Sequence, residues 1–227
     1  MNMISRVKLN SFGHNPGVKS KTEGKATTRV ERQRLRTRRL LLDAGRTLIA
    51  AKGVASLRIQ DITEEADVAL GSFYNYFQSK EELLEAVITE SLSDLASAII
   101  TDVEDDTDPA EVVALANLRV IRLAYDEPDF ARLIVNIGHS EELFGDAVHN
   151  PARIAVERGI ESGRFVVADI EVLLTAVIGG AFALIREILN GHHGANAHQA
   201  FARHVLGSLG LSPKEAEAIV SAAAERE

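Results

Sequence analysis

The feature that most constrains this chain is the run from Ile59 to Leu84, I-Q-D-I-T-E-E-A-D-V-A-L-G-S-F-Y-N-Y-F-Q-S-K-E-E-L-L. Ile59, Ile62 and Ala66 recur at helical spacing, which puts one apolar stripe on a helix of about two turns. Asp67 stands where that helix must stop. An aspartate can take the left-handed conformation that ends a helix, and Val68 then returns to the core. Phe73 and Phe77, one turn apart, form the inner side of a second helix over 70–77. Leu70, Ser72, Asn75 and parts of Tyr74 and Tyr76 are left outward. Ser79-Lys80-Glu81-Glu82 is a capping box, so a further helix starts at Lys80. Leu84, Val87/Ile88, Leu92, Leu95, Ile99 and Val103 continue it for roughly 35 Å at about 1.5 Å per residue. The pattern is a helix-turn-helix followed by a helix long enough to join two domains.

The net charge of −8 argues against nucleic acid until its distribution is followed. Met1 to Arg46 carries 12 Lys and Arg against 3 Asp and Glu, a net +9 that leaves −17 for the remainder. A basic end joined to an acidic body suits a DNA reader, because phosphates hold the one and repel the other. Cysteine is absent, which excludes disulfides, thiolate metal sites and thiol nucleophiles. The N-terminus has no signal-peptide apolar core. Glu171, Arg186 and Glu187 bracket the longest apolar run, so no membrane span is expected and the chain reads as soluble and cytoplasmic.

Residues 1–33, with Gly13, Pro16, Gly17 and Gly24 and no sustained period, read as a disordered basic tail. Arg32, Arg34, Arg36, Arg38 and Arg39 follow, suited to phosphates. A first helix carries Leu41, Ala44/Gly45, Leu48 and Ala51 on one face and stops at Gly53. Together with the motif it forms a unit of about 50 residues, whose small core must lean on the rest. Beyond an acidic linker, Pro109 opens a helix running to about Tyr125, with Val112/Val113, Ala116, Val120 and Leu123/Ala124 inward. Another carries Phe130, Leu133, Ile134 and Ile137 to Gly138. A polar loop with Phe144 leads to a helix over 151–163, and Asp169 can cap V-L-L-T-A-V-I-G-G-A-F-A-L-I-R-E-I-L. That helix is apolar nearly all round, so it is either central to its domain or covered by a second subunit.

The stretch D-I-T-E-E-A-D-V-A-L-G-S-F-Y-N-Y-F-Q-S-K-E-E-L resembles the signature of the TetR-type transcriptional repressors. The likeness covers about Arg38 to Ile88. Asp67 stands where Gly is usual, Ala69 where a capping Ser is usual, and Arg58 where a Thr usually opens the first motif helix. The resemblance implies that Tyr74 and Tyr76 hydrogen-bond phosphates and that Lys80 binds one at the start of its helix. Arg58 would add a cation where the family often touches phosphate. The apolar helix and the amphipathic segment 197–209 resemble the pair through which such proteins build a four-helix homodimer interface.

The candidate DNA-binding residues are thus Arg36, Arg38, Arg58, Leu70, Ser72, Tyr74, Asn75, Tyr76 and Lys80. Ser72 and Asn75 can reach base edges, and Asn can pair bidentately with adenine N6 and N7. For a small ligand the candidates are Arg122, Tyr125, Phe130, Asn136, His139, Phe182 and Arg186, scattered polar groups among apolar ones. His192, His193, His198 and His204 lack the paired spacing and carboxylate of a zinc signature, so no metal is assigned. Gly138-His139-Ser140-Glu141-Glu142 lacks the final Gly and the strand of a nucleophile elbow, so neither an enzyme nor a cofactor is expected. The expected architecture is all-α. After the tail of 1–33 come a three-helix helix-turn-helix domain over 34–84 and a helical ligand-binding and dimerisation domain over 85–227. The expected function is a repressor released from a near-palindromic double-stranded operator by a small hydrophobic ligand. The alternatives are a helical ligand-binding dimer without DNA binding, or a DNA-binding regulator without an effector.

Overall fold

The computed structural model describes residues 29–100, 104, 106–138 and 142–226, and every long regular element among them is a helix. α1 spans Arg29–Lys52 and so begins inside the stretch expected to be tail. Residues 29–36 are all exposed. Arg, Gln, Glu and Leu are strong helix formers and prolong a helix that Leu41, Leu42 and Leu48 have already anchored. The earlier tail residues lie outside the described ones.

α2 spans Ile59–Glu65 and ends as expected: Asp67 has φ 51, and the Val68 N–H donates back to the Thr63 carbonyl at 2.9 Å. α3, Leu70–Phe73, is shorter than the helix expected over 70–77. Asn and Tyr are middling helix formers, and the chain tightens instead. Asn75 N–H donates to Ser72 O at 3.1 Å and Tyr76 N–H to Phe73 O at 2.9 Å, both one residue short of the α-helical span. Phe73 and Phe77 are nevertheless the core residues, 0% and 2% exposed with ring centroids 5.8 Å apart.

α4 spans Lys80–Ile100. The Glu82 N–H donates to Ser79 Oγ at 3.2 Å, one half of the capping box. The Glu82 carboxylate, however, accepts from the Gln78 N–H, one residue before the expected donor. Leu83 rather than Leu84 takes the fully buried place. The reason lies on α1: a Cβ at Gly45 would sit 2.9 Å from Leu83 Cδ2, so the missing side chain lets the two helices cross there.

The C-terminal part comprises α5 (Pro109–Asp126), α6 (Pro128–Gly138), α7 (Glu142–Glu161), α8 (Ile170–Leu189), α9 (Ala197–Ser208) and α10 (Pro213–Ala224). Asp108, Asp169 and Ser212 cap α5, α8 and α10 with their side-chain oxygens. α7 starts before Pro151, which lies inside the helix and forgoes one backbone hydrogen bond instead of opening it. The centre is α5, in which no residue from Ala110 to Tyr125 is exposed and which packs against α4, α6, α7, α8, α9 and α10. That is why Ala114, Leu115, Leu118 and Ile121 are buried beside the single inward face expected. α8 lies at the margin. It is apolar and long enough to cross a membrane by length and composition, yet only 22% of its most apolar window is buried.

One core joins α1–α4 to Ile121, Leu133, Ile134 and Ile185, and a second joins α5 to α7–α10. Phe165, 3% exposed, lies on Gly159, where an added Cβ would meet its Cδ2 at 2.0 Å. Gly159→Ala is expected to force that ring from its place and destabilise the protein by about 1–3 kcal/mol. A urea midpoint lowered at unchanged slope would show it; an unchanged midpoint would mean that the turn relaxes freely.

Arg164 ties three elements together, donating to both Asp108 carboxylate oxygens at 3.0 and 3.1 Å and to Glu215 at 2.7 Å. Burial raises the Asp108 pKa, but the hydrogen bonds from Arg164 and the Ala110 N–H outweigh it and leave it below the ordinary carboxylate value. Such a group contributes stability above its unfolded pKa of about 3.9, and the contribution is lost as pH falls through the lower folded value. Asp108→Asn keeps a capping oxygen while removing the charge. Its melting temperature is expected below the parent's at pH 7, by at most about 1 kcal/mol for so exposed a pair, with the gap closing toward pH 3. A gap independent of pH would assign the effect to the cap.

Candidate nucleic-acid interface

The outward surface of α3 and its following turn consists of Leu70, Tyr74 and Asn75, the first two 52% and 59% exposed. The Tyr74 ring stands edge-on to Phe73 at 5.5 Å, so its apolar body is seated while its hydroxyl faces water. Ser72 is half-buried, and Tyr76 packs its ring against the N-terminal core. Arg58 is the exposed, extended residue that precedes α2 and makes no side-chain cap. The Lys80 ammonium is 4.0 Å from Glu81 at the start of α4.

Two α1 candidates differ sharply. Arg36 is exposed with no acidic partner among the described residues. Arg38 lies over the Phe77 ring at 5.3 Å and pairs with Glu90 of α4 at 3.4 Å. Glu90 also holds Arg39 at 3.2 Å and Arg46 at 3.3 Å, and Asp94, one turn on, takes Arg46 at 3.0 Å. These carboxylates neutralise part of the arginine run before any phosphate arrives. They were absent from the expected site, although Glu90 and Asp94 stand four apart on the polar side of α4.

The expected ligand residues do not converge. Arg122 forms an ion pair with Asp126 at 2.9 Å on the surface, and Arg186 is half exposed beside Glu187. Tyr125 donates to the Gly194 carbonyl at 2.7 Å and faces the His198 ring edge-on at 6.0 Å. Asn136 of α6 donates its amide to the Ile49 and Ala50 carbonyls at 2.9 and 3.1 Å. It thereby caps the end of α1, a contact between distant segments that no local pattern announces. Phe182 is half-buried in the first core, and Phe130 lines a cavity of about 400 Å³ between α1, α4, α5 and α6. His139 lies outside the described residues. Two buried polar atoms have no described partner, Ser91 Oγ and His198 Nδ1, and neither was among the candidates.

Two family descriptions match the chain: "Bacterial regulatory proteins, tetR family" over residues 41–87, and "Tetracyclin repressor-like, C-terminal domain" over residues 108–222. The protein is a member of the TetR family. Its helix-turn-helix is therefore that of a DNA-binding transcriptional regulator, and α3 is the TetR-type recognition helix. The repressor DhaR of Mycobacterium sp. (strain GP1) is 39% identical over 72 residues, which span 32% of this chain and 36% of that protein. The repressor KstR2 of Rhodococcus jostii (strain RHA1) is 34% identical over 74 residues, 33% of this chain and 32% of its own. The match thus spans about a third of the length of these curated relatives. A wider likeness is to the crystal structure of RolR in complex with resorcinol. It is 30% identical, covers 84% of this chain and 95% of that one, and has a TM-score of 0.62.

Proposed function

We propose that this TetR-family protein is a homodimeric repressor that binds a near-palindromic operator and is released by a small, largely apolar compound. The observation that carries the dimer is α8. Val172, Ala176 and Gly179 form an exposed stripe at helical spacing on a helix whose most apolar window is only 22% buried. A soluble helix of that composition calls for a covering surface, and a second copy supplies a self-complementary one. Two recognition helices would then enter successive major grooves about 34–36 Å apart.

The ligand is placed in the C-terminal domain. RolR, similar over most of its length, was crystallised with resorcinol, which supports a small aromatic compound as the class. Ser91 Oγ and His198 Nδ1, buried without described partners, are polar groups that such a ligand could satisfy. A ligand releases the operator only by its differential affinity for the two states of the dimer.

The test is selection of bound sequences from a random DNA pool, followed by titration of the winner at several salt concentrations. An inverted repeat is expected, with affinity falling steeply as salt rises. Asn75→Ala is expected to lose about 1–3 kcal/mol of operator binding and to relax the preference at one base pair of each half-site. Binding without sequence preference in the parent protein would sink the repressor reading. An Asn75→Ala variant with parental specificity would move base readout to another residue.

A further inference from the structure

The cavity of about 400 Å³ at the junction of α1 with α4, α5 and α6 has a composition unlike that expected of an apolar effector site. Its floor is apolar, with Leu123 and Leu133 8% and 3% exposed and Phe130 half-buried beside them. Asp94, Glu127 and Asp129 stand around it. Arg46 is the sole basic side chain in its wall, and its two terminal nitrogens are already held by Asp94 and Glu90. Asp129 shares Arg132, while the Glu127 carboxylate has no partner among the described residues. Negative charge is therefore in excess over an apolar floor.

We propose that this cavity binds a small organic cation with an apolar body, its ammonium group at Glu127, Asp129 and Asp94 and its body on Leu123, Phe130 and Leu133. Each part of the site answers one part of that ligand. The carboxylates lower the free energy of the cation, the Phe130 face adds cation–π attraction, and the leucines remove apolar surface from water. A carboxylate ligand would face like charge on three sides. The walls come from the DNA-binding unit through α1 and from the C-terminal domain through α5 and α6. An occupant stabilises the arrangement in which Asn136 caps α1, and it thereby biases operator affinity from a position separate from the interior of the C-terminal domain.

The experiment is calorimetric titration of the full-length protein with benzylamine, benzyl alcohol and benzoate, which share a ring and differ in charge. Benzylamine is expected to bind saturably at one site per chain, at least about tenfold more tightly than the alcohol, and benzoate is expected not to bind. The Glu127→Gln, Asp129→Asn double variant removes two exposed charges without touching the core. It is expected to weaken benzylamine about fivefold or more while its ligand-free melting temperature stays unchanged. Equal binding of amine and alcohol would overturn the proposal, as would unchanged amine affinity in the double variant or no saturable binding at millimolar benzylamine.

Discussion

Ala176→Arg is expected to split the dimer and to lower operator affinity by about 10²–10⁴-fold, the advantage that a linked second half-site confers. Ala176 lies between Val172 and Gly179 on the exposed stripe of α8, away from the α3 surface and from both cores. On a monomer an arginine there costs little, because solvent surrounds it. Within a self-complementary interface each guanidinium would lose its water and gain no partner, and symmetry would double the loss. Sedimentation should show a single chain at micromolar concentration, with the helical signal retained. A variant that stays dimeric and holds the operator as before would place the dimer interface on another face.

Phe73→Ala is expected to destabilise the helix-turn-helix by about 3–5 kcal/mol. Phe73 is fully buried, and its ring meets those of both Tyr74 and Phe77. Removing it leaves a cavity in a small core and unseats the tyrosine that stands outward. Denaturation followed by far-ultraviolet circular dichroism should show the midpoint falling, and operator binding should fail with it at temperatures where the C-terminal helices persist. Phe73→Leu should recover most of the stability. A loss under about 1 kcal/mol would mean that the neighbouring aromatics collapse into the space.

Much of the recognition unit was legible because its determinants are local. Asp67 ends α2 with its own backbone, Ser79 caps α4 from three residues away, and the Phe73–Phe77 pair faces inward by helical geometry alone. The ligand candidates were far less legible. Arg122 and Phe130 lie near each other in sequence, yet one is an exposed ion pair and the other a cavity wall. Periodicity gives the face of a helix but not what stands opposite it. Asn136 shows the same gap: its amide reads as a polar group near a pocket, and its partners are carbonyls more than 80 residues earlier in the chain.

By itself the sequence determined the helical class, the helix-turn-helix and its turn, the capped starts of α4, α5 and α8, and the basic character of the N-terminal end. All of these follow from side chains acting on backbone within a few residues. Only the tertiary structure decided that α5 is central and α8 marginal, that Leu83 packs beneath Gly45, that Glu90 gathers Arg38, Arg39 and Arg46, and that an acid-walled cavity lies beside α1. Those outcomes depend on which surfaces meet after distant helices pack, and contact energies between remote segments leave no period in the chain that carries them.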